Sequence, residues 1–208
     1  VEQSSFSKKN TWVTGSWFVR ADCLVEKTFS YDTCLVVTSL WAALRAAPSE
    51  RALTIKNLSM GSCLSGVRQI DDWWLVDTPF GLGAIAKSEV FVVGESAEFV
   101  ELAVRNSIIA AAKKFLGGPY IWCGGSAWKE QAARPIAELK NQITGVDCSG
   151  LLYLVFKAHG LLIPRNAHGQ YLMSTPIETG NKLQPGDFIF IAGTIPRILR
   201  DVPRRIIT

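Results

Sequence analysis

The 208 residues are enough for one large domain or two to three small ones. A hydrophobic content of 48% with 19% charged residues and seven tryptophans is a globular composition, and no apolar run reaches membrane-spanning length. The net charge of +4 is mild; much of it comes from Arg197, Arg200, Arg204 and Arg205, too diffuse a set to argue for nucleic acid.

Five cysteines, Cys23, Cys34, Cys63, Cys123 and Cys148, are an odd number without CxxC or Cys/His ligand spacing. A zinc site is therefore not expected, and neither is any other metal or cofactor. Scattered cysteines suit a reducing compartment or at most one or two disulfides, which leaves cytoplasm and cell envelope both open. No leader-like segment precedes the first predicted strands, but the chain opens on Val1, so a removed leader also stays open.

In chain order, Thr11-Trp12-Val13-Thr14-Gly15-Ser16-Trp17-Phe18-Val19 reads as β material around a glycine. Residues 34–93 read as all-β. Cys34 to Leu40 is β-branched and apolar, and Leu44-Arg45-Ala46-Ala47-Pro48-Ser49 ends in a turn. Ile55, Leu58 and Met60 lead to Gly61, then to Leu64 and Val67. Asp71-Asp72 makes a polar turn before Trp73-Trp74-Leu75-Val76, and Thr78-Pro79-Phe80-Gly81 makes another before Leu82-Gly83-Ala84-Ile85. Short strands with turns every ten or so residues predict a small barrel. Residues 94–100 read as a linker or helix start. Val104, Ile108, Ile109, Ala112, Phe115 and Leu116 then recur at helical spacing up to Gly117-Gly118-Pro119. Residues 126–144 read as a polar surface insertion with a short helix at 136–139. Leu183-Gln184-Pro185-Gly186-Asp187-Phe188-Ile189-Phe190-Ile191-Ala192 reads as a turn feeding a buried strand, and 193–208 shows no clean period.

Gly145-Val146-Asp147-Cys148-Ser149-Gly150 stands where an apolar segment begins that runs to Ala158 and stops at Gly160. Asp147 is positioned as an N-cap, which places Cys148 in the first turn of a helix. The unpaired N–H groups and the positive end of the helix dipole there favour a thiolate. On the hexapeptide alone Cys148 is either a nucleophile or, as most free cysteines are, a small buried hydrophobe.

Two resemblances organise these observations. Val36-Val37-Thr38, Leu44-Arg45-Ala46-Ala47-Pro48-Ser49, Asp72-Trp73-Trp74-Leu75-Val76 and Thr78-Pro79 with Gly81 and Gly83 resemble a bacterial SH3-like (SH3b) domain over 34–93. On that reading, residues 1–33 are the remnant of a preceding SH3b copy or an extension packed on the barrel. Four further segments are similar, in order, to the NlpC/P60 family of papain-like cysteine peptidases, which cut bacterial cell-wall peptides. They are Phe115-Leu116-Gly117-Gly118-Pro119-Tyr120-Ile121-Trp122-Cys123-Gly124-Gly125, Val146-Asp147-Cys148-Ser149-Gly150-Leu151, Gly160-Leu161-Leu162-Ile163-Pro164-Arg165-Asn166-Ala167 with Gln170, and Leu183-Gln184-Pro185-Gly186-Asp187-Phe188-Ile189-Phe190. The resemblance implies an α+β chain: an SH3b barrel, then over 94–208 a papain-like domain of helices packed on an antiparallel sheet, incomplete at its C-terminus.

It also implies roles. Cys148 is the expected nucleophile towards a γ-D-glutamyl–diamino acid bond, with Asp147 and Ser149 shaping the pocket and Tyr120 helping to hold the oxyanion. Arg165-Asn166 matches a family Arg-Asp pair whose aspartate binds a free substrate amine; an amide supplies no negative charge for that task. Cys123 departs from the family's aromatic-glycine segment and reads as structural. Peptidoglycan-derived peptides are the expected partners.

Thiol catalysis also needs an oriented histidine. If 148–159 is helical, His159 lies on the order of 16 Å along the axis from Cys148 and cannot serve. His168 lies in the loop beside Asn166, which is not the family's base position. The resemblance places the base just after Thr208. The expectations that follow are a fragment of a longer enzyme, a truncated inactive product, or a binding protein without catalysis; residues 1–208 alone are expected to be inactive or very weak.

Overall fold

The computed structural model describes residues 2–6, 12–16, 33–94, 101–127, 145–178, 181–193 and 206–207. They form an α+β arrangement of antiparallel sheets and three helices. β1 (Glu2–Phe6) and β2 (Trp12–Ser16) pair antiparallel, Glu2 opposite Ser16 and Phe6 opposite Trp12. Seven strands then build one antiparallel sheet: β3 (Thr33–Val37), β4 (Trp41–Arg45), β5 (Thr54–Ser59), β6 (Cys63–Ile70), β7 (Trp73–Thr78), β8 (Gly81–Ala86) and β9 (Val90–Val92). Their spatial order is β5-β4-β8-β7-β6-β3-β9.

Period-two patterning explains which face is buried. Along β7, Trp74, Val76 and Thr78 are buried while Trp73, Leu75 and Asp77 are only partly covered. Ala42 and Leu44 on β4, Leu35 and Val37 on β3, Leu64 on β6 and Ile85 on β8 point to the same core. The Asp71-Asp72 turn joins β6 to β7 with Asp71 at φ 46°, a left-handed position that aspartate tolerates better than most side chains. At Gly83 the strands approach so closely that a Cβ would lie 2.6 Å from Leu44 Cδ1.

Three helices follow: α1 (Glu101–Lys113), α2 (Cys148–Ala158) and α3 (Ala167–Met173). A second core forms where α1 and α2 meet the sheet. Ile108 and Ala111 from α1, Val155 and Ala158 from α2, and Met60 from the turn after β5 are buried together, with Leu40 packed against them. Burying Met60, 1% exposed, contributes about 1.5–3 kcal/mol to this contact. Ser59 Oγ accepts from Ala127 N–H at 2.8 Å, and Lys114 Nζ donates to Thr38 O at 3.4 Å. The sheet therefore seats the helices that carry the candidate site.

Helix ends follow local chemistry. α1 stops before Gly117, and α2 ends in a Schellman arrangement. There Leu161 N–H donates to Phe156 O and Gly160 N–H to Lys157 O, both at 3.0 Å, with Gly160 at φ 72°. One expectation fails. Residues 187–191 are not a buried strand: Ile189 and Ile191 are exposed, and no strand among the described residues pairs with them. Phe188 and Phe190 do turn inward, stacking edge-to-face on Phe156 at 5.2 Å and on Tyr171 at 5.4 Å. The apolar run thus reflects aromatic packing on the helices, and pairing starts only at β10 (Ala192–Gly193) with β11 (Ile206–Ile207). The short helix expected at 136–139 lies outside the described residues.

Candidate active site

Cys148 is the first residue of α2 and is exposed. Asp147 caps the helix: its Oδ1 accepts from Gly150 N–H at 2.6 Å and from Ser149 Oγ at 3.2 Å. The same carboxylate is gripped by Arg165, Nη1 to Oδ1 at 3.0 Å and Nη2 to Oδ2 at 3.3 Å. This two-pronged contact fixes the plane of the cap as well as its charge. Arg165 Nη2 also donates to Gly124 O at 2.8 Å, and Nη1 to Ser149 Oγ at 3.2 Å. One guanidinium thus joins the loop at 120–125, the cap, and the first turn of α2.

The loop is stitched to the residues before the helix by backbone bonds. Ile121 N–H donates to Val146 O at 3.1 Å, Asp147 N–H to Gly124 O at 3.2 Å, and Ser126 N–H to Gly145 O at 3.3 Å. The approach leaves no room for side chains. A Cβ on Gly150 would sit 2.3 Å from Gly124 O, and one on Gly145 would sit 2.5 Å from Pro119 O. This packing sets Tyr120 near Cys148. The Tyr120 phenol is pushed above its ordinary range by partial burial first, then by Cys148, Asp147 and Cys123. Cys123 and Trp122 are exposed on the same loop, Cys123 at φ 60°.

Of the residues expected from sequence, Tyr120, Asp147, Cys148, Ser149 and Arg165 come together here. Asn166 has a different occupation: it caps α3, its Oδ1 accepting from Gly169 N–H at 2.7 Å. His159 closes α2 at the end away from Cys148, its Nδ1 2.7 Å from Val155 O. His168 is exposed on α3. Sequence reading gave no role to Gln170. The Gln170 side chain is buried and donates from Nε2 to Ser149 O at 3.0 Å and to Pro164 O at 2.8 Å, locking α3 to the first turn of α2. Its sequence signals are its place in the third family-like segment and its spacing four residues after the Asn166 cap.

An exposed thiol at the first turn of a helix, whose cap is held in a half-buried carboxylate–guanidinium pair, is a setting for nucleophilic attack. Among the described residues no cluster of three or more His, Cys, Asp or Glu side chains is arranged for a metal ion, and no helix is long and apolar enough to cross a membrane. A broad apolar groove of about 1200 Å³ runs between α1, α3 and residues 183–190, but none of the residues around Cys148 lines it.

Residues 117–198, which hold all of these contacts, match the NlpC/P60 family; the chain contains an NlpC/P60 family domain. Individual relatives match more of the chain. The chain is 28% identical over 158 residues to a gamma-D-glutamyl-L-lysine dipeptidyl-peptidase of Bacillus cereus, an alignment covering 76% of this chain and 42% of the relative. It is 29% identical over 135 residues to the protein of that name from Bacillus subtilis, covering 65% of this chain and 38% of the relative. The crystal structure of an NlpC/P60 family protein from Bacillus cereus superposes with a TM-score of 0.57 at 27% identity, covering 78% of this chain and 47% of that one. The chain thus spans less than half the length of each of these three proteins.

Proposed function

We propose that this chain carries the nucleophile-bearing part of a cysteine peptidase that hydrolyses γ-D-glutamyl–diamino acid bonds in bacterial cell-wall peptides. The observation that carries this reading is the exposed Cys148 thiol at the start of α2, with its cap clamped by Arg165, inside a domain whose relatives are named for γ-D-glutamyl-L-lysine cleavage. On this reading residues 34–93 are the SH3b barrel, 94–208 the papain-like unit, and 1–33 the remnant of a preceding SH3b copy or an extension packed on the barrel. The Cys148 sulfur attacks the amide carbon, Tyr120 O–H donates to the oxygen that gains charge, and the amine of the diamino acid leaves. The thioester formed at Cys148 is then hydrolysed. His159 is turned to the far end of α2, and His168 is not assigned to the reaction.

The natural gene product, incubated with L-Ala-γ-D-Glu-diamino acid peptides, is expected to release L-Ala-γ-D-Glu, detected by mass spectrometry. Cys148→Ala is expected to abolish release. Release that persists in Cys148→Ala removes the thiol from the reaction. Peptide that binds without being cut instead supports a non-catalytic wall-peptide-binding module.

A further inference from the structure

A second pair of thiols lies away from Cys148, on the side of the sheet that receives α2. β3 and β6 pair antiparallel, with Cys34 opposite Ser65 and Val36 opposite Cys63. Leu35, Val37 and Leu64 point into the sheet core, so strand alternation places Cys34, Val36, Cys63 and Ser65 together on the other face. Cys34 and Cys63 are diagonal neighbours there, and burial, with help from Cys63, pushes the Cys34 thiol above its ordinary range. Cys63 Sγ also lies 3.9 Å from Gly61 O. Gly61 in turn rests on α2, where a Cβ would lie 3.0 Å from Leu154 Cδ2 and 3.6 Å from Lys157 Cδ. Lys157 acts on Cys34 electrostatically across the same seam.

We propose that Cys34 and Cys63 form a modification site that takes small-molecule disulfides and closes to an intramolecular disulfide between β3 and β6. The site is independent of the reading given to Cys148. Cys63 is exposed and Cys34 half-buried, which orders the two steps. The Cys63 thiolate attacks one sulfur of the incoming disulfide, forming a mixed disulfide and expelling one thiolate. Cys34 then loses its proton and attacks the Cys63 sulfur, expelling the second. Two protein thiols are oxidised and the small disulfide is reduced to two thiols. Burial, then the neighbouring Cys63, push the Cys34 thiol above its ordinary range, with Lys157 opposing them; Cys34 is thus suited to the closing step rather than to capture. Diagonal neighbours start with Cα atoms roughly 7–8 Å apart, and a disulfide wants about 4.4–6.8 Å. The closure therefore asks for an approach on the order of an ångström. Cys63 is the first residue of β6, two residues after Gly61, so the approach falls at the end of the strand rather than in its middle.

The test uses the full chain and oxidised glutathione. After exposure, remaining thiols are alkylated and the unreduced protein is digested with trypsin. Arg45, Arg51 and Lys56 lie between the two cysteines, so the Cys34 and Cys63 peptides separate unless a disulfide joins them. The expected product is the joined pair, two hydrogens lighter than its separate peptides, and lost on reduction. Cys34→Ser is expected to stop at glutathione on Cys63. Cys63→Ser is expected to leave Cys34 at least tenfold slower to react. Glutathione on both cysteines of the unmodified chain with no joined peptide overturns the proposal, as does a link from either of them to Cys23, Cys123 or Cys148.

Discussion

In the seven-stranded sheet, each buried side chain meets others supplied by neighbouring strands, and Leu35, Leu44, Val76 and Ile85 are fully excluded from solvent. Around Cys148 the arrangement is the reverse: the thiol is exposed, and its surroundings converge on one polar hub, Arg165 with Asp147. The sheet is held by area removed from water, which is divided among many side chains and falls gradually as each is trimmed. The site is held by charge-assisted hydrogen bonds from a single guanidinium, whose loss leaves several groups without their partner at once. A fold can lose one core methyl group and keep its shape; among the described residues this site has no second guanidinium in the same place.

Leu44→Ala is the largest expected stability change. It empties a fully buried position facing Gly83 and is expected to cost about 2–5 kcal/mol. Urea unfolding followed by tryptophan fluorescence measures it, since Trp41, Trp73 and Trp74 lie in the sheet. In the natural gene product, the relative activity of the fraction still folded is expected to stay within twofold. A fall much beyond that, in protein shown to be folded, breaks the separation between sheet and site.

Arg165→Ala is expected to cost about 2–3 kcal/mol, less than breaking a fully buried pair because both partners keep some solvent contact, 21% and 13%. Its effect on the site is expected to be the larger one. Asp147, Gly124 O and Ser149 lose the donor they share, and thioester formation at Cys148 is expected to fall at least a hundredfold in folded protein. If activity falls only as far as the folded fraction does, Arg165 is merely another stabilising contact.

How much of this was legible in the chain follows the same division. The sheet announces itself through Trp74–Val76 alternation and the Asp71-Asp72 turn, both local signals. The Asp147 cap and the glycine stop of α2 are equally local, which is why the placement of Cys148 in the first turn could be read directly. The clamp could not. Arg165 reaches Asp147 across 18 residues and Gly124 across 41, and no periodicity encodes a contact made by a loop arginine. Residues 187–191 misled for a related reason: aromatic residues that pack edge-to-face on helices have the same composition as a buried strand. Met60 and Leu40, which look like the end of a strand pattern, belong to the core shared with α1 and α2.

A smaller effect tests the seam between α1 and the turn at 184–187. Asp187 accepts from Gln184 N–H at 2.6 Å and from Arg105 Nη1 at 2.8 Å. The backbone bond first, then Arg105, hold its carboxyl below the ordinary aspartate range. A folded-state value lower than the unfolded one means that the contribution is complete above the unfolded value and is lost as pH falls through the folded one. Urea midpoints measured from neutral pH down to about pH 3 should therefore fall more steeply for the natural chain than for Asp187→Asn. Parallel curves would remove Asp187 from the acid response.

Asn166→Asp is expected to change stability least and to say most about specificity. Asparagine and aspartate are nearly equal N-caps, so α3 should keep its start to within about 0.5 kcal/mol. The cap uses only Asn166 Oδ1, on Gly169 N–H. An aspartate would leave its second oxygen, now charged, for a substrate ammonium, which the present amide cannot match. The residue is exposed, so the added ion pair is worth about 1 kcal/mol, or about a fivefold gain in kcat/KM for peptides with a free amino terminus over the same peptides N-acetylated. The natural gene product should show the weaker preference. An unchanged ratio in folded Asn166→Asp would mean that the substrate amine does not reach this end of α3, leaving residue 166 a helix cap alone.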